Sequence, residues 1–178
     1  QGGFGSGIGS SMRCANVTAG PEKEMLILNS KSQSSIWILR SDASLSGTID
    51  LGTSDPRWFQ IQGPSGGDGQ FSMNSGDING DVFEDFVICS YGSPATSNCQ
   101  GWLGRSDPDI YNGLPADFSV SAASIGYHIG ESVTIADIDG DGFGDLITGG
   151  AYGAASNGAV HIFKGSAVPA GALTRSWT

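Results

Sequence analysis

Residues 137–145 read D-I-D-G-D-G-F-G-D. Four carboxylates fall within this stretch, in a chain where only 15% of residues are charged. Like charges this close repel, so the stretch calls for a cation among them. Its first, third and fifth positions, Asp137, Asp139 and Asp141, offer side-chain oxygens. The seventh, Phe143, can offer a backbone carbonyl, and the ninth, Asp145, closes the set with a carboxylate. The glycines between them permit the tight turn. An all-oxygen shell selects a hard cation, and Ca²⁺ tolerates such a flexible loop better than Mg²⁺ does. The alternative is a solvated acidic turn.

A second stretch, D-I-N-G-D-V-F-E-D, runs from Asp77 to Asp85. Its expected ligands are Asp77, Asn79, Asp81, the Phe83 carbonyl and Asp85, which brings the expected calcium sites to two. Three carboxylates against four predict a tighter site in the later stretch, other things being equal. A third stretch in the same register, N-V-T-A-G-P-E-K-E from Asn16 to Glu24, departs from the pattern. Gly20 has no side-chain ligand and Pro21 stiffens the next position, so no strong metal is expected there. The same residues form a glycosylation sequon, Asn16-Val17-Thr18. A glycan on Asn16 and a metal on Asn16 would exclude each other, so this loop is expected to carry a glycan or nothing.

The three loops are landmarks of a longer unit. Each is followed by an apolar run: M-L-I-L from Met25, F-V-I-C from Phe86 and L-I-T from Leu146. A second run comes later: I-W-I-L from Ile36, W-L from Trp102 and A-V-H-I-F from Ala159. A turn then closes each unit: R-S-D at Arg40, R-S-D at Arg105 and K-G-S at Lys164. The runs are short, rich in Ile, Val, Phe and Trp, and bounded by Gly, Ser, Asn and Asp, which is strand punctuation. An EF-hand or dockerin would need a helix after the loop, and the glycines of L-I-T-G-G-A-Y-G do not permit one. The expected fold is all-β, with β-propeller-type blades of four antiparallel strands in three repeats and no significant helix. The expected divisions are 1–60, with a degenerate metal loop, 61–120 and 121–178. A β-sandwich is the other all-β possibility.

The segment Ser124–Ser166 resembles an FG-GAP repeat, the blade unit of integrin α-subunit β-propellers. The likeness runs from Ile125-Gly126-Tyr127 through the acidic loop to the G-G-A-Y segment and the G-A-V-H-I-F strand. The middle unit is similar at D-I-N-G-D-V-F-E-D-F-V-I, with G-S-P-A at Gly92 to Ala95 where the family has Gly-Ala-Pro. The first unit is recognisable mainly by register. The resemblance implies four-stranded blades, a calcium ion in the loop between two strands, and a role in binding or adhesion.

Composition narrows the partners. Eight Lys+Arg stand against 18 Asp+Glu, a formal charge of −10. An acidic, Arg-poor chain argues against nucleic acid and against anionic membrane, and no apolar run suggests membrane insertion. The first residues show no basic start followed by an apolar stretch, so no signal peptide is expected within this sequence. The chain also lacks an initiator Met, which suits a mature product or an excised piece. Cys89 and Cys99 lie at strand-to-strand disulfide spacing, with Cys14 to spare; three buried reduced cysteines are the alternative. His128 and His161 read as packed or surface residues, Asp107 and Asp109 as part of a turn, and no catalytic motif is found. The expectation is therefore a secreted, non-catalytic calcium-binding module whose partner is a protein or glycan. Two alternatives stand beside it. One is a self-assembling subunit of an extracellular filament or sheath, joining copies of itself head to tail, since the C-terminal residues are in phase with the N-terminal ones. The other is the accessory part of a larger extracellular enzyme.

Overall fold

The computed structural model of the chain describes residues 7–30, 33–40, 46–51, 57–65, 70–92, 96–106, 114–122, 129–151, 158–167 and 171–172. Every named element among these residues is a strand. The motif Ile125-Gly126-Tyr127, His128, Asp107, Asp109 and most of the G-S-P-A segment lie outside the described residues.

Each apolar run that follows a loop becomes the second strand of a sheet. In the first sheet, β1 (Ile8–Ala15), β2 (Glu24–Asn29), β3 (Gln33–Leu39) and β4 (Trp58–Ser65) form an antiparallel meander. The β4 strand crosses residue 60 and stays with this sheet. The second sheet repeats the plan with β5 (Gln70–Gly76), β6 (Asp85–Tyr91), β7 (Asn98–Trp102) and β8 (Phe118–Ser121). The third has β9 (Ser132–Ala136), β10 (Asp145–Gly150) and β11 (Ala159–Phe163).

Among the described residues the third sheet thus has three strands where four were expected. The last described strand, β12 (Gly171–Ala172), lies parallel to β8 in the second sheet instead of completing the third. The outer edge of β8 presents unpaired backbone groups, which recruit whatever extended segment reaches them. The described residues thus form an all-β stack of three sheets and no closed ring.

The sheets stack face to face through alternating side chains. Leu26, Leu28, Ile36 and Ile38 of the first sheet meet Phe86, Ile88 and Trp102 of the second. The opposite face of the second sheet, with Val87, Cys89 and Cys99, meets Val133, Ile135 and Leu146 of the third. Each fully buried side chain of this size contributes about 1.5–3 kcal/mol. Phe86 and Trp102, paired across β6 and β7, stack with ring centroids 5.6 Å apart. On the other face, Cys89 and Cys99 pair across the same two strands and form a disulfide. Cys14 is free and exposed.

Backbone hydrogen bonds stitch the sheets together with the period of the sequence repeat. The Glu84 N–H donates to the Asn16 carbonyl at 2.8 Å, and the Gly144 N–H to the Asp77 carbonyl at 2.8 Å. The Arg105 N–H donates to the Val17 carbonyl at 2.9 Å, and the Ser166 N–H to the Ile78 carbonyl at 3.2 Å. Every donor and acceptor of the second junction lies 60 or 61 residues beyond its counterpart in the first. One packing relation is therefore used twice.

Candidate metal centres in the hairpin loops

Each acidic loop connects the first two strands of a sheet, and register fixes where it starts. Ala15 pairs with Glu24, Gly76 with Asp85 and Ala136 with Asp145. The ninth loop position is thus the first residue of the second strand, where it is buried. Asp85 and Asp145 are both buried at the loop base.

The two acidic loops share one hydrogen-bond scaffold. Asp77 accepts from the N–H groups of Gly80 (2.7 Å), Asp81 (3.2 Å) and Val82 (3.0 Å). Asp137 accepts from those of Gly140 (2.7 Å), Asp141 (3.2 Å) and Gly142 (2.9 Å). Asp81 and Asp141 each accept from the phenylalanine two residues on, at 3.0 Å. Asp85 clamps the loop to the sheet by accepting from Ile78 and from Gly104, both at 2.7 Å. Asp145 does the same with Ile138 at 3.3 Å and Gly165 at 3.1 Å. The sixth position is left-handed in both loops, with φ 90° at Gly142 and φ 73° at Val82. Glycine adopts that conformation freely and valine does not.

Electrostatics separates the loops. Burial pushes the Asp85 carboxyl up to about 7, against its two backbone N–H donors, and the charges of Asp81 and Asp77 add to the rise. In the later loop the Lys164 ammonium pairs with Asp139 and stands 3.9 Å from Asp141. That hydrogen bond holds the Asp139 carboxyl below its usual value and raises Lys164. Gly104 and Gly165 make equivalent bonds, so the counterpart of Lys164 in the second sheet is Leu103. In the later loop the cation thus meets expected ligand positions, whereas the ion pair described for the earlier loop, Lys23 with Glu84 at 3.2 Å, falls on the eighth position, outside the expected ligands. This partner was not identified from the sequence, where Lys164 reads only as part of a closing turn.

Carboxylate oxygens of Asp137, Asp139 and Asp145 come within 4.8 Å of one another. That donor set, all oxygen and anionic, fits a hard divalent cation. Asp141 stands outside this group, with one oxygen on the Phe143 N–H. In the earlier loop Asn79 donates its amide to Asp81 at 2.8 Å. Phe83 and Phe143 are half-buried beside the clamping residues.

The first loop closes by itself. Glu24 accepts from the N–H groups of Val17 (3.1 Å) and Thr18 (3.3 Å), and from the Thr18 hydroxyl at 2.5 Å. The longer glutamate reaches across the space between strands and turns the Thr18 hydroxyl inward. The Asn16 N–H is held by Glu84 of the next loop at 2.7 Å. His161, expected to be packed or exposed, is buried.

Two comparisons with known proteins bear on these loops. Residues 129–163, which span β9, the later acidic loop, β10 and β11, match the family model described as FG-GAP repeat. Integrin alpha-PS2 of Drosophila melanogaster is 35% identical over 79 residues, which cover 44% of this chain and 5% of that protein. The chain is thus similar to an FG-GAP repeat over residues 129–163 and in part to an integrin α chain, of whose length it spans a small fraction.

Proposed function

We propose that the chain is a calcium-binding FG-GAP module of β-propeller type that serves adhesion or binding outside the cell. Its three units fall near residues 1–60, 61–120 and 121–178, and its ligand is a protein or a glycan. The observation that carries the reading is the pair of loops with one shared scaffold. Backbone N–H groups fix the first carboxylate, the last is clamped at the sheet, and the oxygens between them are left for an ion. Asp137, Asp139, Asp141, Asp145 and the Phe143 carbonyl would hold one ion. Asp77, Asn79, Asp81, Asp85 and the Phe83 carbonyl would hold the other. Bound calcium would supply charge neutralisation, tying each hairpin at its open end. The integrin α likeness and the acidic surface support the extracellular, adhesive role, and the loops offer no group for catalysis beyond carboxylates that an ion would occupy.

Lys164 changes the expected order of the two sites. Four carboxylates with one internal lysine carry the same net charge as three without one, which removes the basis for a tighter later site. The direct test is calorimetric titration of the chelator-treated protein with Ca²⁺. Two sites are expected, with a rise in melting temperature on saturation. Asp137→Asn should remove one site and leave the other. A melting temperature that neither Ca²⁺ nor chelator moves would overturn the reading.

A further inference from the structure

The junction between sheets is used twice within the chain, and each end of the stack shows one half of it again. At the front of the third sheet, Ile138 is the counterpart of Val17 and Ile78, which are both buried, yet it is 50% exposed. Val160 pairs with Gly149 as Cys99 pairs with Cys89 and Ile36 with Leu28. Cys99 and Ile36 are buried inside the two junctions, whereas Val160 is 68% exposed. At the back of the first sheet, Met12 corresponds to Met73 and Val133. Those two are buried and Met12 is 55% exposed. Cys14, two residues on and so on the same face of β1, is exposed as well.

The polar half of the junction is repeated too. The carbonyls of Asn16 and Asp77 each accept an N–H from the next sheet, and so do those of Val17 and Ile78. The Asp137 and Ile138 carbonyls are the next members of that series. The N–H in phase with Glu84 and Gly144 is that of Lys23, at the back of the stack.

We infer that the front of the third sheet docks onto the back of the first sheet of a second copy of this chain, head to tail, by the same junction that joins its own sheets. The occupant follows from complementarity. Each open face is apolar at the positions that the internal junctions bury, and each carries the polar groups that the opposite face satisfies. The contact is heterologous, so it either propagates or closes into a ring, the smallest being two chains joined by two copies of the contact. It depends on the stacking of the sheets and not on the calcium reading.

Sedimentation of the full chain across a concentration series tests this. The average mass should rise past that of a monomer as concentration increases, to a closed dimer or beyond it. Labelling of Cys14 by a maleimide should slow over the same range, because Cys14 lies in the contact. Val160→Asp blocks the front and Met12→Asp blocks the back, and each variant alone should remain a monomer. Ile138→Asp is a second front block, and far-UV circular dichroism checks that every variant is folded. Mixing a front-blocked with a back-blocked variant should restore a one-to-one dimer through the two intact faces. A wild-type chain that stays monomeric would refute the proposal. So would a single-face variant that still dimerises, which would mean an isologous contact, or a mixture that stays monomeric.

Discussion

Val82 holds φ 73° at the loop position where the later loop has Gly142. A left-handed residue with a Cβ costs about 1–2 kcal/mol, and β-branching makes valine a poor occupant. The strain persists because the Val82 N–H is needed by Asp77. Val82 is also an exposed side chain, so little packing is lost on its removal. Val82→Gly should therefore stabilise the protein by about 0.5–1 kcal/mol, after allowing for the extra chain entropy of glycine. A urea midpoint moved upward with unchanged slope is the expected result. Asp85 supplies a second prediction, on pH. Its carboxyl is pushed up to about 7 in the metal-free fold against 3.8 ordinarily. Between these values the folded state keeps a proton that the unfolded state has released. Its contribution is therefore full below about pH 4 and is lost as pH rises through 7, on the order of 2–4 kcal/mol in all. Chelator-treated wild type should lose stability relative to Asp85→Asn over that window. Parallel pH profiles for the two proteins would contradict the assignment. At this scale the acidic positions were legible in the sequence because ligand spacing is local. Lys164 was not, because it meets Asp139 from 25 residues away through strand pairing.

The hairpins were the most legible elements. Each apolar run after a loop became a second strand, and the closing residues Glu24, Asp85 and Asp145 took equivalent registers. The destination of β12 was not legible, since two residues carry no pattern and only the free edge of β8 decides it. Nor was the role of Gly101, which reads in the sequence as one more turn glycine. It lies in β7 opposite Phe118, and a Cβ there would fall 1.9 Å from the ring. The first sheet has Ile38 at the same register, paired to Leu26 as Gly101 is to Val87. Phe59 stands opposite Ile38 as Phe118 stands opposite Gly101, so both sheets have the ring, and in the second it lies over the backbone of its partner. Gly101→Ala should destabilise the fold by about 2–3 kcal/mol, as overpacking of a dense core does. Adding Phe118→Leu should recover part of that loss, so the two changes will be non-additive in a double-mutant cycle. Additive effects would mean that the ring moves aside freely.

Across the whole chain, stability should be graded along the stack. The second sheet is covered on both faces, and β6 is buried from Asp85 through Ser90. The corresponding strands at the two ends, β2 and β10, each pack on one neighbouring sheet and include half-buried positions, Met25 and Asn29 in β2 and Ile147 and Gly149 in β10. In repeat architectures each unit draws its stability from its neighbours, so an end unit lacks one of two supporting interfaces. Native-state hydrogen exchange of dilute, calcium-loaded protein should therefore show the amides of β6 as the slowest, opening only with global unfolding. Amides of β2 and β10 should exchange through smaller openings that leave the second sheet intact. The junction donors Glu84, Arg105, Gly144 and Ser166 report on each interface separately, because their hydrogen bonds exist only while adjacent sheets are docked. Gly144 and Ser166 should open together with the third sheet, ahead of β6. Chelation should speed them further, since it frees the loop that sets Gly144 against the Asp77 carbonyl. Uniform protection across the three sheets would instead mean that the stack unfolds as one unit, with the two junctions strong enough to suppress opening at the ends.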